Sequence, residues 1–143
     1  SGIGLELRNN ITNVKRERKF NIRLDDRNKT LMTGAIDAFW ENNLIDYKLT
    51  SVNSAPEGLY ESQLDFYALV LHELTGLDKI KTTAVFLREG ISKGRVINDF
   101  GGIKTRISSA SEKCTSGNLE PEYGHCASCP FKKGCSRYKS TRF

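Results

Sequence analysis

The chain has 143 residues, 38% of them hydrophobic and 27% charged, with a formal net charge of +5. That length and balance suit one compact core with a short appendage and leave too little sequence for a second full-sized core. No apolar run approaches the roughly 18 to 20 residues of a membrane span and no secretory pattern opens the chain, so no membrane partner is expected. The expected location is intracellular: cytoplasm or nucleoid, or an organelle or the nucleus in a eukaryote.

Charge divides the chain. Residues 1–103 carry 14 basic and 14 acidic side chains, whereas residues 104–143 carry 8 basic and 3 acidic ones together with all four cysteines. The sequence therefore predicts a neutral core over 1–103 and a basic, cysteine-bearing tail over 104–143.

In chain order, residues 14–24 mix β-branched and charged side chains in partial alternation and read as a strand, followed by turn chemistry at Asp25–Lys29. Leu31–Trp40 and Leu44–Thr50 read as two further strands of a hairpin, with Asn42 and Asn43 as its loop. From about Pro56 the apolar period lengthens: Leu64, Tyr67, Ala68, Leu71 and Leu74 fall on one helical stripe that Gly76 ends. Lys81–Arg88 reads as a fourth strand and Arg95–Phe100 as a weak fifth. The order βββαβ predicts an α/β fold, a three-strand antiparallel meander followed by a helix and one or more strands.

Three polar residues interrupt the apolar hairpin: Asp37, Asp46 and Lys48. If Asn42 and Asn43 form a two-residue loop, Asp37 pairs with Lys48 and Phe39 with Asp46, placing all three polar side chains on one sheet face; a three-residue loop would pair Ala38 with Asp46 and send Asp37 to the other face. Two carboxylates beside an ammonium offer hard oxygen ligands for Mg²⁺ or Mn²⁺ and an amine that can steer or deprotonate a water. On spacing alone the same residues also describe solvated acids with an ordinary cross-strand ion pair. Gln63 and Tyr67, four residues apart, share one face of the helix that follows. His72 lies off that stripe and reads as a packing or surface histidine.

The combination Gly34-Ala35-Ile36-Asp37, Leu44-Ile45-Asp46-Tyr47-Lys48 and Gln63-Leu64-Asp65-Phe66-Tyr67 resembles the RecB-type nucleases of the PD-(D/E)XK superfamily over about Val14 to Leu87. The resemblance implies a restriction-endonuclease-like core and a catalytic set of Asp37, Asp46, Lys48, Gln63 and Tyr67. Metal would be held by Asp37, Asp46 and the Tyr47 carbonyl. Glu17 resembles the glutamate these nucleases often carry before the G-x-x-D strand. Two departures stand out: Ile36 occupies the position of the superfamily's proline, and residues 1–13 contain no counterpart of the upstream histidine of many relatives.

In the tail, Cys126-x2-Cys129-Pro130-x4-Cys135, with eleven residues between Cys114 and Cys126, has metal-ligand spacing. Four thiolates suit a [4Fe-4S] cluster or Zn²⁺. The resemblance favours the cluster, because RecB-type nucleases commonly end in C-x2-C-P-x(n)-C. Lys132, Lys133, Arg137 and Lys139, interleaved with aromatic residues, suit DNA phosphates and exposed bases. The expected activity is metal-dependent DNA phosphodiester hydrolysis, exonuclease-like or as the nuclease part of a helicase-nuclease system. Its expected partners are DNA, single-stranded or with single-stranded ends, and a helicase or other repair or recombination subunit. The competing reading is an inactive nuclease-fold DNA-binding module. A third, a zinc-bearing interaction domain, leaves the hairpin acids as salt-bridge partners only.

Overall fold

Strands whose ends lie in different neighbourhoods need a long connection, and the order of this sheet turns on one such connection. In the computed structural model, which describes residues 2–24, 30–52, 58–118, 126 and 129–135, the chain order is α1 (Gly2–Asn9), β1 (Lys15–Arg23), β2 (Leu31–Trp40), β3 (Asn43–Lys48), α2 (Leu59–Thr75), β4 (Ile80–Phe86), β5 (Ile91–Ile97) and α3 (Phe100–Thr115). The strands form one five-stranded sheet in the order β1-β2-β3-β4-β5. All neighbours are antiparallel except β3 and β4, which run parallel from Asn43↔Lys81 to Lys48↔Phe86. A parallel pair cannot be closed by a tight turn, so α2 supplies the crossover.

Helix α2 forms because Leu64, Ala68 and Leu71 recur at four and three residues and are all buried. It ends at Gly76, whose left-handed φ of 71° lets its N–H reach the His72 carbonyl at 2.7 Å. The helix begins at Leu59; Pro56, expected in its first turn, lies outside the described residues.

Two apolar clusters organise the sheet. The larger joins Phe20, Met32, Ile36, Phe39, Leu44, Ile80 and Phe86 to Leu64, Leu69 and Leu71 of α2 and to Phe100 and Ile103 of α3. The smaller joins Ala38, Trp40 and Ile45, with Ile3 and Leu7 of α1 and Val85 packed against it. Both clusters lie in the first of two compact units, 1–111, and the second spans 112–143.

The hairpin register differs from the expected one. Trp40 pairs with Asn43, Phe39 with Leu44 and Ala38 with Ile45, so Glu41 and Asn42 form the loop. Glu41 takes the left-handed conformation, φ 48°, which asparagine adopts more easily, and that preference drew the sequence reading one residue too far along. The expected pairings Asp37 with Lys48 and Phe39 with Asp46 are thereby replaced. Because the shift is two residues in register, side chains keep their faces. The fifth strand also lies earlier than expected, since Gly90 at φ 65° closes the turn and Phe86 pairs with Ile91.

Helices α1 and α3 were not read from the sequence. Helix α3 carries Gly101, Gly102 and several serines, which weaken its helical signature. Its start was nonetheless encoded: Asp99 accepts the Gly102 N–H through Oδ1 at 2.9 Å, and Phe100, Ile103 and Ile107 follow at helical spacing.

Candidate active site

The β2–β3 ladder runs as far as Ala38↔Ile45, and beyond it a side chain takes over. Asp37 Oδ2 accepts the backbone N–H of Tyr47 at 2.8 Å. This fixes the Asp37 carboxylate beside β3, and a carboxylate with about four lone-pair directions keeps capacity for a cation after one such bond.

Asp46 is 3% exposed, the one acidic residue that is buried as a whole among the described residues. Lys48 lies two residues further along β3, and its Nζ stands 2.7 Å from Asp46 Oδ2 as an ion pair. This oxygen is buried, and the ammonium is its partner. The same ammonium donates to Gln63 Oε1, and Gln63 Nε2 donates to the Tyr67 hydroxyl at 3.0 Å. Asp46, Lys48, Gln63 and Tyr67 thus form one connected polar chain from β3 to α2, with Asp37 tied to the same stretch of β3. All five side chains expected from the sequence to share a site are brought together.

Neighbouring aromatics explain the placement of Tyr67. Phe20 pairs across the sheet with Gly34, and a Cβ at Gly34 would come within 2.8 Å of the Phe20 ring. The missing side chain lets that ring lie over the strand, where it meets Tyr67 edge-on at 6.1 Å between centroids. The glycine of the G-x-x-D run therefore supports the phenol as well as the strand.

A second polar cluster, missed in the sequence reading, braces α2. Asp65 pairs through Oδ1 with Arg95 of β5 and through Oδ2 with Arg106 of α3, the latter at 2.9 Å. It lies two residues from Gln63 and so ties the helix that carries Gln63 and Tyr67 to two other elements. Opposite charges separated by 30 and 41 residues carry no local sequence signal. His72 has the expected packing role: its Nδ1 is 2.8 Å from the Leu77 carbonyl oxygen and its ring stacks on Phe100.

The Asp46 carboxyl is pushed above the usual carboxylate range, first by burial and further by the Asp37 charge, with the Lys48 ammonium pulling part of the way back. Between the ordinary and the raised value the folded protein binds more protons than the unfolded chain, so stability falls as pH rises through that window. We expect Asp46→Asn to remove this part of the pH dependence, measured by urea unfolding of both proteins across the acidic range without divalent metal. Identical pH profiles would contradict the assignment.

In the unit 112–143, the described cysteines carry no disulfide; Cys114 is exposed and Cys126, Cys129 and Cys135 are half-buried. Successive turn bonds run from Cys129 N–H to the Cys126 carbonyl and from Cys135 N–H to the Lys132 carbonyl, at 3.3 and 3.4 Å. Lys132 and Lys133 lie within this run of turns, whereas Arg137 and Lys139 are outside the described residues. Among the described residues no three His, Cys, Asp or Glu side chains converge as a metal-binding group. Nor is any described helix long and apolar enough to cross a membrane.

The family profile described as the PD-(D/E)XK nuclease superfamily matches residues 5–136. The chain belongs to the PD-(D/E)XK nuclease superfamily. Members of this superfamily are usually nucleases. The five-strand mixed sheet with three helices agrees with a restriction-endonuclease-like core. A solved structure titled "Crystal structure of SSO0001" superposes with a TM-score of 0.56 at 19% identity over 94% of this chain, a likeness of fold. The chain spans 65% of that protein's length. No curated protein matches significantly.

Proposed function

We propose that this PD-(D/E)XK chain is a divalent-metal-dependent deoxyribonuclease of RecB type. The observation that carries the reading is the connected set Asp46, Lys48, Gln63 and Tyr67, with Asp37 fixed on the Tyr47 N–H. The donor set fits a cation: two carboxylates lie close enough for one to raise the other's proton affinity, and a carboxylate that accepts one hydrogen bond or one ammonium keeps lone pairs for a metal. Asp37, Asp46 and the Tyr47 carbonyl would hold Mg²⁺ or Mn²⁺. The bound ion would supply charge to a phosphodiester oxygen and acidify a water.

The remaining roles belong to the chain itself. Lys48, held between Asp46 and Gln63, presents an ammonium that can offset phosphoryl charge or exchange a proton with the attacking water. Gln63 spends its carbonyl on that ammonium and its amide on Tyr67, so its rotamer is fixed at both ends and the lysine is held in place. The substrate we propose is DNA, single-stranded or with single-stranded ends, cut in exonuclease-like fashion or within a helicase-nuclease assembly.

The tail completes the proposal. Cys114, Cys126, Cys129 and Cys135 would hold a [4Fe-4S] cluster, or Zn²⁺ in its place, in a structural role. Lys132, Lys133, Arg137 and Lys139 would contact DNA phosphates. One preparation tests these points together: iron and zinc content, visible absorbance, and cleavage of single-stranded and duplex DNA with Mn²⁺, with and without chelator. The expected result is iron-dependent colour and chelator-sensitive cleavage. Salt-sensitive DNA binding without products would overturn the nuclease reading in favour of an inactive binding module. Zinc with no DNA affinity would instead select an interaction domain.

A further inference from the structure

Three irregularities coincide at one point of the β1–β2 ribbon. First, the pairing is continuous in register from Lys15↔Phe39 to Arg23↔Leu31 except between Arg16↔Ala38 and Arg18↔Ile36, where Glu17 and Asp37 face each other unpaired. Second, Glu17 has φ 47°, in the left-handed region. Third, the alternation of β2 breaks there. Met32 and Ile36 pack in the larger cluster, whereas Ala38 and Trp40, at positions of the same parity, pack in the smaller one. A regular strand keeps such residues on one face, so the faces exchange at Asp37.

The exchange has a chemical result. Past Ala38↔Ile45 the Asp37 carboxylate, rather than the main chain of β2, meets the Tyr47 N–H at 2.8 Å. A glutamate in the left-handed region is sterically disfavoured and needs a compensating reason. Its carboxylate does not provide one: Glu17 is exposed, and it forms no group of three with Asp37 and Asp46. The reason is to be sought in the backbone.

We propose that Glu17 is a positioning residue acting through its main chain: its left-handed conformation lets the ribbon exchange faces and thereby delivers Asp37 to β3 beside Asp46. The consequence for metal affinity rests on the reading of Asp37 as a metal ligand. The consequence for the Asp37 to Tyr47 bond does not.

The test compares Glu17→Gly, Glu17→Gln and Glu17→Val in the full chain. Its readouts are hydrogen exchange of the Tyr47 amide, Mn²⁺ affinity by calorimetry, and Tm. Glycine tolerates the left-handed region, and glutamine keeps the parent's size without its charge. Both should retain Tyr47 protection, and both should keep Mn²⁺ affinity to within about twofold, well short of the loss seen when a metal ligand is misoriented. A β-branched valine resists the conformation, so its Tyr47 amide should exchange about tenfold faster and its Mn²⁺ affinity should fall by about tenfold. Should the valine variant not fold, Glu17→Ala carries the same contrast in milder form. Loss of Mn²⁺ affinity in Glu17→Gln would overturn the proposal by assigning the role to the carboxylate. So would full Tyr47 protection in both the valine and alanine variants. A parent protein that binds no Mn²⁺ would remove the nuclease reading and leave the exchange comparison intact.

Discussion

Asp46→Asn and Lys48→Gln should each lower DNA cleavage on the order of a thousandfold while leaving the fold in place. Asp46 is buried and its Oδ2 has the Lys48 ammonium as its ion-pair partner, so substitution removes both a proposed metal ligand and the charge that holds the lysine. Lys48→Gln leaves the ligands and withdraws the mobile charge nearest to them. The two variants separate by metal: Asp46→Asn should lose the rise in Tm that Mn²⁺ gives the parent, and Lys48→Gln should keep it. Residual cleavage near the parent rate in either, with folding verified by circular dichroism, would remove that residue from the catalytic assignment. Because groups acting as a unit are not additive, the double variant should be little worse than either single one.

Phe86→Ala should have the largest effect on stability, about 3–5 kcal/mol against a typical total of about 5–15 kcal/mol. Phe86 is fully buried, meets Tyr60 of α2 edge-on at 5.7 Å, and lies across the parallel ladder from Lys48. Removing the ring opens a cavity between the sheet and the crossover helix, where strand backbone cannot collapse to fill it. Urea unfolding should show a lower midpoint with an unchanged slope. A shift below about 1 kcal/mol would mean that α2 can settle onto the sheet without this anchor.

How much of this was legible depends on how local each signal is. Helix α2 was clear because its stripe repeats within the segment itself, and β2 because ten residues of apolar character end at a turn. The five polar residues were legible as types and spacings, three on the hairpin and two on the helix, although the hairpin register was misread. The position of the hairpin loop was misread because a glutamate, not an asparagine, takes the left-handed conformation. Helix α3 was hidden by its glycines and serines, since its stability comes from Phe100 and Ile103 docking on distant strands. The Asp65 brace and the left-handed Glu17 were out of reach for the same reason. Each is fixed by partners far along the chain, which no window of neighbouring residues contains.

The two borders of the sheet have a bearing on solubility. Strand β1 carries positive charge at Lys15, Arg16, Arg18, Lys19 and Arg23, and β5 at Lys93. Unpaired strand edges invite other chains to add on, and crowded like charges oppose it. A concentrated solution should therefore resist edge-to-edge polymerisation at low ionic strength and become more prone to it as added salt screens the repulsion.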